Sequence, residues 1–336
     1  MRVLVTGGCG YIGSHTCVEL LNEGHEVIIV DNLVNSKKDV VKKIEKITSK
    51  KVKFYKYDCC NKNSLRKVFS ENDHIDAVLH FAGLKAVGES VKIPVRYYEN
   101  NLGSTLSLVT VMKEFNCNKI VFSSSATVYG ESDVLPLTEE MNVGKTFSPY
   151  ATTKYFIERI LEDVCVSDSN FSVVLLRYFN PIGAHESGLI GENPNCIPNN
   201  LMPYIIKVAT HELPILNVFG DDYDTKDGTG VRDYIHVVDL AKGHIKALDK
   251  SCEGPGVRVY NLGTGHGYSV LEILNTFMKV NNVDVKYKIV GRREGDIAEY
   301  YADPSKAYKE LHWKAEKDID DMCRDAYNFV IKNKKE

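Results

Sequence analysis

Three polar side chains in the middle of the chain have the types and spacing for acid–base chemistry on a hydroxyl group. Tyr150 and Lys154 are four positions apart, so they share one face of a helix that begins near Pro149. A nearby ammonium favours the phenolate, and lowering a tyrosine pKa from about 10 to about 7 needs roughly 4 kcal/mol. Ser125 ends a serine run and can hydrogen-bond the same substrate hydroxyl, although such runs are also typical of turns. We predict Tyr150 as the base.

The start of the chain carries a motif for binding a dinucleotide. Gly7, Gly10 and Gly13 follow the apolar residues 3–5, where a strand turns tightly into a helix and its N–H groups approach a pyrophosphate. Asp31 ends the next apolar run, eighteen positions after Gly13. A carboxylate there accepts hydrogen bonds from a ribose diol and repels the extra phosphate of NADP. The motif predicts NAD, and it gives weight to the tyrosine–lysine pair, which is common by chance.

Length, composition and charge favour an enzyme acting on small molecules. The 336 residues are 43% hydrophobic, which is sufficient for a large core, and suggest about two domains. A net charge of −3 gives no electrostatic argument for nucleic acid or an anionic membrane. No apolar run approaches the ~18 residues of a membrane span, and the first strand leaves no room for a signal peptide, so we expect a cytoplasmic protein. Nine cysteines without a CxxC pair predict reduced thiols, neither a disulfide framework nor a metal site.

Short apolar runs alternate with amphipathic stretches, which is typical of an α/β protein with a doubly wound parallel sheet. Strands are predicted at residues 52–57, 77–81, 120–122 and 172–176, and long helices at residues 90–115 and 148–166. Both helices carry more apolar residues than one buried face requires. This excess favours a homodimer, although deep burial in a monomer would give the same pattern.

The composition changes after Arg177, where turn-forming residues punctuate residues 180–230 and indicate a second, loop-rich lobe. Residues 233–247 and 258–262 have the pattern of core elements that return to the first domain. We therefore predict interleaved domains. The first is a Rossmann domain of residues 1–180 plus about 232–262, and the second is a smaller α/β substrate-binding lobe of about 181–231 plus 263–336.

Further segments extend these motifs from residue 6 to residue 296. They are TGGCGYIGSH, DNLVNS, HFAGLKAVGES, SSSATVYG, SPYATTK, RYFNPIGAH, IPNNLMPYI, DGTGVRDYIHV and GRREGD. Together they resemble the extended short-chain dehydrogenase/reductases, and within them the family of UDP-glucose 4-epimerases, also called UDP-galactose 4-epimerases. The resemblance implies a reversible inversion at C4 of UDP-glucose and UDP-galactose in galactose metabolism. The reaction would pass through a 4-keto sugar, with tightly held NAD regenerated in each cycle.

The resemblance also implies which residues contact the cofactor and the substrate. The implied NAD contacts are Gly7, Gly10, Tyr11, Ile12, Gly13, Asp31, Asn32, Asn35, Ser36, Asp58, Cys59, Phe81, Ala82, Gly83, Lys85, Asn100, Ser123, Tyr150, Lys154, Tyr178 and Phe179. The implied UDP-sugar contacts are Lys85, Ser125, Tyr150, Asn180, Asn200, Leu201, Asn217, Phe219, Arg232, Arg293, Asp296 and Tyr300. Among these, the guanidinium groups of Arg232 and Arg293 can bracket a diphosphate.

Tyr300 matches the family position whose side-chain size controls access for the sugar 2-substituent. A tyrosine there leaves little space for an N-acetyl group. The resemblance therefore implies poor turnover of UDP-N-acetylhexosamines.

Two other functions would use the same fold. Related nucleotide-sugar 4,6-dehydratases usually carry an Asp-Glu pair after the hydroxyl residue, and UDP-glucuronate decarboxylases tend to carry Glu at the second of these positions. This chain has Ala126 and Thr127 there. A non-catalytic NAD-binding protein would have no need of Ser125, Tyr150 and Lys154 together.

Overall fold

The computed structural model describes residues 1–132, 134–193, 200–293 and 296–334. In these ranges the strands are β1 (Arg2–Thr6), β2 (Glu26–Val30), β3 (Lys53–Tyr55), β4 (Ala77–His80), β5 (Lys119–Ser123), β6 (Ser172–Tyr178), β7 (Asn180–Ile182), β8 (Leu216–Phe219), β9 (Val231–His236), β10 (Gly256–Leu262), β11 (Gly267–Ser269), β12 (Tyr287–Val290) and β13 (Glu299–Tyr300). The helices are α1 (Tyr11–Asn22), α2 (Asp39–Thr48), α3 (Lys62–Ser70), α4 (Val87–Lys92), α5 (Pro94–Glu114), α6 (Pro149–Ser167), α7 (Leu201–Ala209), α8 (Val237–Ser251), α9 (Val270–Asn281), α10 (Ser305–Leu311) and α11 (Ile319–Lys334), with a short 3-10 helix at Ala126–Tyr129. Parts of two sequence motifs, residues 197–199 and 294–295, lie outside the described residues.

Seven parallel strands form the main sheet, in the order β10-β6-β5-β4-β1-β2-β3. Successive side chains of a strand point to opposite faces. Along β1, Val3 and Val5 pack with side chains of α1 and α8, whereas Leu4 packs with side chains of α3 and α5. Helices cover both faces, which is why the strands read as nearly continuous apolar runs. The predicted doubly wound parallel sheet is confirmed.

One predicted helix is wrong and another is confirmed. Residues 90–115 form two helices, because α4 ends before Ile93 and α5 begins at Pro94. Proline disfavours the helical conformation in the residue before it, and Ile93 has φ −133° and ψ 58°. The helix predicted at 148–166 is α6, which starts at Pro149 with the Ser148 side chain accepting a hydrogen bond from Ala151 N.

The chain leaves the large sheet after β6 and returns to it later. Strand β10 pairs with β6 at the sheet edge, and α8 packs against α1. The strands before and after β10 in the chain form two smaller sheets. In one, β9 pairs with β7, β11 and β13, and in the other β8 pairs with β12. The return to the large sheet therefore begins with α8 and not at Asp233, because residues 233–236 belong to β9. The division into two domains stays a prediction.

No helix of the described ranges is long and apolar enough to cross a membrane. Eight cysteines in these ranges have free thiols, and Cys196 lies outside them. The same ranges contain no group of three or more His, Cys, Asp or Glu side chains that could hold a metal ion. The expected cytoplasmic location stays a prediction.

The turn from β1 into α1 is built from close backbone contacts. Gly7 has φ +72°, and a Cβ atom there would lie 2.8 Å from the nitrogen of Ala82. A Cβ atom at Gly13 would lie 2.4 Å from the carbonyl oxygen of Gly7. Real Cβ atoms do not approach backbone atoms so closely, so a side chain at either position would displace the turn.

We predict that Gly13→Ala lowers the free energy of unfolding by about 1–3 kcal/mol, because the new methyl group overpacks a backbone contact. Gly103→Ala is the matched control. Gly103 lies inside α5, and a Cβ atom there would be 3.6 Å from the sulfur of Cys60. Alanine at this position should therefore leave the free energy of unfolding unchanged or raise it by up to about 1 kcal/mol. Thermal unfolding of both variants checks this, and equal melting temperatures for Gly13→Ala and the wild type would contradict it.

Candidate active site

A cavity of about 1380 Å³ opens at the carboxyl edge of the large sheet. One wall comes from residues that end or follow the central strands, including Gly7, Phe81, Ser123 and Tyr178. The opposite wall comes from β7, α7, β8, β9 and β13. Every residue that the sequence analysis assigned to the cofactor or the substrate lines this cavity. Parallel α/β sheets bind their ligands at this edge.

The glycine turn holds Asp31 at one end of the cavity. The N–H of Cys9 donates to Asp31 Oδ2 at 3.0 Å, while Leu33 N and Ser36 Oγ each donate to Oδ1 at 2.8 Å. A carboxylate has about four acceptor positions. These three bonds therefore orient the side chain and leave it one position for a ligand hydroxyl.

The candidate catalytic side chains converge from two elements. Tyr150 and Lys154 lie on α6, and Lys154 Nζ is 5.9 Å from the centroid of the Tyr150 ring. The same Nζ donates to the carbonyl oxygen of Ser123 at 2.6 Å and lies 4.7 Å from the Phe122 ring centroid. The lysine is thus held by the end of β5, and its charge reaches the tyrosine through space.

Ser125 is oriented by its neighbour Thr127, which the sequence analysis did not assign to the site. The Thr127 hydroxyl donates to Ser125 Oγ at 3.0 Å, and the Thr127 N–H donates to it at 3.3 Å. Because both of these bonds use Ser125 Oγ as the acceptor, the serine proton is available to a ligand or to Tyr150. Only the serine–threonine spacing at the start of a 3-10 helix signalled this in the sequence.

Burial changes the acidity of the tyrosine and the lysine in opposite directions. Burial raises the pKa of Tyr150 well above its usual value, and a hydrogen bond with Ser125 lowers it in part. Burial lowers the pKa of Lys154 to about 8, and the negative charge of Glu158 opposes that shift. Both effects disfavour charge in a buried site. The phenolate therefore needs positive charge beside it.

Two guanidinium groups converge on one carboxylate at the far end of the cavity. Arg293 donates to both oxygens of Asp296, at 2.9 and 3.1 Å, and Arg232 Nη2 lies 3.6 Å from Asp296 Oδ1. The Arg293 guanidinium also lies 5.6 Å from the ring centroid of Phe219. Asn217 on β8 has a buried side-chain oxygen without a hydrogen-bond partner in the described part of the chain. This end is polar, aromatic and positively charged.

Glu192 joins the two sides of the cavity and was missed by the sequence analysis. Its Oε1 accepts from Lys85 Nζ and from Asn200 Nδ2, each at 3.1 Å. Lys85 was assigned to both the cofactor and the substrate, and Asn200 was assigned to the substrate. A lone glutamate in a loop carries no sequence signal, because its partners are distant along the chain.

Tyr300 lies next to the segment that carries the candidate catalytic residue Ser125. Its hydroxyl donates to the carbonyl oxygen of Ala126 at 2.6 Å, and its ring centroid is 5.7 Å from that of Phe179. The side chain is buried. It therefore fills space next to Ser125 and next to the predicted nicotinamide contact.

Comparisons with known proteins show the family of this chain. The model of the NAD dependent epimerase/dehydratase family matches residues 3–263. The UDP-glucose 4-epimerase of Haemophilus influenzae is 56% identical over 335 residues, which are 100% of this chain and 99% of that protein. The solved UDP-glucose 4-epimerase of Bifidobacterium longum, in complex with NAD+ and UDP, is 58% identical with a TM-score of 0.95 and 99% of each chain covered. That of Stenotrophomonas maltophila, with NAD and formylated UDP-arabinopyranose, is 48% identical with a TM-score of 0.97, covering 100% of this chain and 99% of that chain. The glycine turn and the tyrosine–lysine pair line one cavity, and the relatives match over the full length of the chain. The chain therefore belongs to the NAD dependent epimerase/dehydratase family.

Proposed function

We propose that this protein interconverts UDP-glucose and UDP-galactose by inverting C4 of the hexose. The observation that carries the proposal is that Tyr150 and Ser125 line one cavity together with the glycine turn and the Arg232–Arg293 pair. The high identity to UDP-glucose 4-epimerases over the whole chain supports the same reaction.

The glycine turn fits a dinucleotide. Positions 7 and 13 have no room for a Cβ atom, and α1 begins at Tyr11 with its free N–H groups at the cavity. Such a helix N-terminus binds phosphate. Asp31 retains one acceptor position for a ribose hydroxyl. When bound there, NAD supplies a two-electron oxidant for C4 and, once reduced, the matching reductant.

Tyr150 removes the proton of the 4-hydroxyl group as C4 is oxidised, and it returns that proton when the 4-keto sugar is reduced. Its burial disfavours the phenolate, so the ammonium of Lys154 has to stabilise it, together with the positive nicotinamide of the cofactor. Ser125 donates its hydroxyl proton to the same sugar oxygen, since Thr127 occupies its acceptor positions. One tyrosine thus serves both half-reactions.

Inversion requires the 4-keto sugar to present both of its faces in turn. Arg232, Arg293 and Asp296 hold the nucleotide end, where guanidinium groups bind a diphosphate and a carboxylate accepts from a ribose hydroxyl. The proposed reaction requires the hexose end to be held less firmly. When UDP is bound firmly and the sugar is free to turn, the 4-keto sugar can present either face to the cofactor beside the same tyrosine.

A 4,6-dehydratase or a decarboxylase is not favoured by this site. Elimination of water needs an acid and a base beside the sugar, whereas the position after Ser125 is the buried Ala126. The next residue, Thr127, uses its hydroxyl to orient Ser125.

We also propose that two copies of the chain associate through α4, α5 and α6, which pack side by side. Val91, Val95 and Leu106 are each at least half exposed, and the ring of the exposed Phe156 on α6 lies 6.3 Å from that of Tyr98 on α5. We call the exposed apolar side chains of these helices the helix patch. Contiguous apolar surface of this kind is typical of protein interfaces.

We predict that Tyr150→Phe lowers kcat for conversion of UDP-galactose to UDP-glucose roughly 100- to 10,000-fold, because it removes the base. Purified protein without added NAD is assayed by chromatography, and bound NAD is measured after denaturation. Tyr155→Phe on the same helix is the control and should retain activity. If Tyr150→Phe converts the substrate at the wild-type rate, Tyr150 is not the base. If the wild type remains inactive with added NAD, the proposed reaction is wrong.

We predict that Tyr300→Cys opens the cavity beside Ser125 and raises kcat/KM for UDP-N-acetylglucosamine. The smaller side chain vacates the space against Phe179 and the Ala126 carbonyl. The control is Tyr301→Cys, because the Tyr301 ring packs near Gly267. If UDP-N-acetylhexosamines stay inert with an active Tyr300→Cys variant, Tyr300 does not control access.

We predict that Leu106→Glu converts the dimer to a monomer, because a carboxylate in the helix patch would lose its water on association. Light scattering with size-exclusion chromatography should give half the wild-type mass. Val134→Glu also places a charge at an exposed valine, but outside these helices, and should not change the mass. A monomeric wild type would contradict the proposal.

A further inference from the structure

A buried ion pair lies directly beneath the candidate catalytic residues. Glu158 is on α6 one turn beyond Lys154, and its side chain is 1% exposed. Arg177 on β6 donates from Nη2 to Glu158 Oε2 at 2.7 Å and from Nε to Oε1 at 3.1 Å. Burying two charges costs several kcal/mol per ion before their attraction offsets it. The reaction steps described above make no use of this pair.

The pair also holds the backbone that carries the site. Ser124 Oγ donates to Glu158 Oε1 at 2.5 Å. Ser124 lies between Ser123, whose carbonyl oxygen accepts from Lys154, and Ser125. Glu158 thus reaches the end of β5 from the same helix that carries Lys154.

Arg177 reaches the other side of the site. Its Nη1 donates to the Tyr129 hydroxyl at 3.2 Å, and Tyr129 ends the 3-10 helix that begins after Ser125. The Tyr129 hydroxyl donates in turn to Asn261 on β10 at 2.7 Å. The ion pair on α6 and β6 is therefore connected to the end of β5, to the 3-10 helix and, through Tyr129, to β10.

Few charges act on Lys154. Besides Glu158 and Tyr150 on its own helix, the neighbouring titratable groups are His80 on β4, His244 on α8, and Arg177 and Tyr178 on β6. Burial lowers the pKa of His80 to about 3 and that of His244 to about 4, so both are neutral near pH 7. Burial raises the pKa of Tyr178 and of Tyr150, so both are neutral near pH 7 when no cofactor is bound. Among the described residues, Glu158 is the anion that acts on Lys154.

We propose that Glu158, held by Arg177, is a positioning residue that keeps Lys154 protonated and fixes the end of β5 under Ser125. The proposal rests on the proposed function, because that reaction needs the ammonium of Lys154 beside Tyr150. Glu158 touches neither substrate nor cofactor and acts through Lys154 and Ser124.

The direction in which the pH profile of activity moves follows from how burial and Glu158 change the pKa of Lys154. Burial lowers the pKa of Lys154 to about 8, and Glu158 keeps it from falling further. Without that carboxylate the lysine loses its proton at a lower pH. The ammonium is present below its pKa, so the activity that depends on it is lost as the pH rises through that value.

Glu158→Gln keeps the shape of the side chain and removes its charge. We expect the alkaline limb of the kcat profile to move down by about one pH unit. KM for UDP-galactose should stay within twofold, because the nucleotide end of the cavity is unchanged. Glu162→Gln is the matched control one turn further along α6, where Glu162 pairs with the exposed Arg159. Its limb should coincide with that of the wild type.

A readout independent of activity is the NMR titration of nitrogen-15-labelled lysine side chains in the holoenzyme, with Lys154→Met assigning the signal. Glu158→Gln should lower its midpoint by the same amount, and Glu158→Asp should restore it. The double variant Glu158→Gln/Arg177→Gln avoids leaving an unpaired buried charge, so it tests the proposal if the single variant does not fold. Its midpoint should also fall, because the carboxylate of Glu158 is the charge that opposes the lowered pKa of Lys154.

A Lys154 midpoint equal to that of the wild type, in a folded single or double variant, would overturn the proposal. An inactive wild type would instead overturn the proposed function. In that case the NMR midpoint alone still decides the role of Glu158.

Discussion

Parallel pairing of the central strands is the constraint on which the site depends. In this register Thr6 pairs with His80, His80 with Phe122, and Phe122 with Leu175. The loops that leave β1, β4, β5 and β6 therefore emerge side by side, although their residues are far apart in the chain. The glycine turn can lie against the residues after β4 only because Gly7 has no Cβ atom. The glycine turn and the candidate catalytic residues are thus two parts of one sheet edge.

Three charged side chains, Lys154, Glu158 and Arg177, are buried below this sheet edge, where an isolated charge would be unfavourable. Lys154 is buried, yet it has the carbonyl oxygen of Ser123 as an acceptor and the Phe122 ring beneath it. Glu158 and Arg177 are buried as a pair whose hydrogen-bonding groups extend to Ser124. Buried charged groups are tolerated when they are paired and hydrogen-bonded. Here that requirement also holds the chemistry-bearing residues in place.

The opposite wall of the cavity depends on contacts between distant segments. The buried carboxylate of Asp233 on β9 accepts hydrogen bonds from the backbone N–H groups of Thr264, Gly265 and Ala302. This anchors the chain next to Tyr300, whose hydroxyl reaches the Ala126 carbonyl. The width of the cavity beside Ser125 is therefore set jointly by the four-stranded sheet that contains β9 and β13 and by the segment at Ala126.

The sequence by itself determined the features with local geometry. The glycine turn and the Tyr150–Lys154 pair are contiguous in the chain, so strand, turn and helix rules are sufficient to place them. The same rules predicted the parallel sheet. The rule for residues before proline also predicts a helix break at Pro94, but the apolar pattern of residues 90–115 suggested one continuous helix.

Only the tertiary structure decided which charges meet. Glu158 with Arg177, Glu192 with Lys85, and Asp296 with Arg232 are pairs whose members come from different elements or loops. A charged residue in a sequence is compatible with a solvated surface or with a buried partner, and nothing local distinguishes the two. Folding makes the choice, because a charge removed from water must find its counter-charge within a few ångströms.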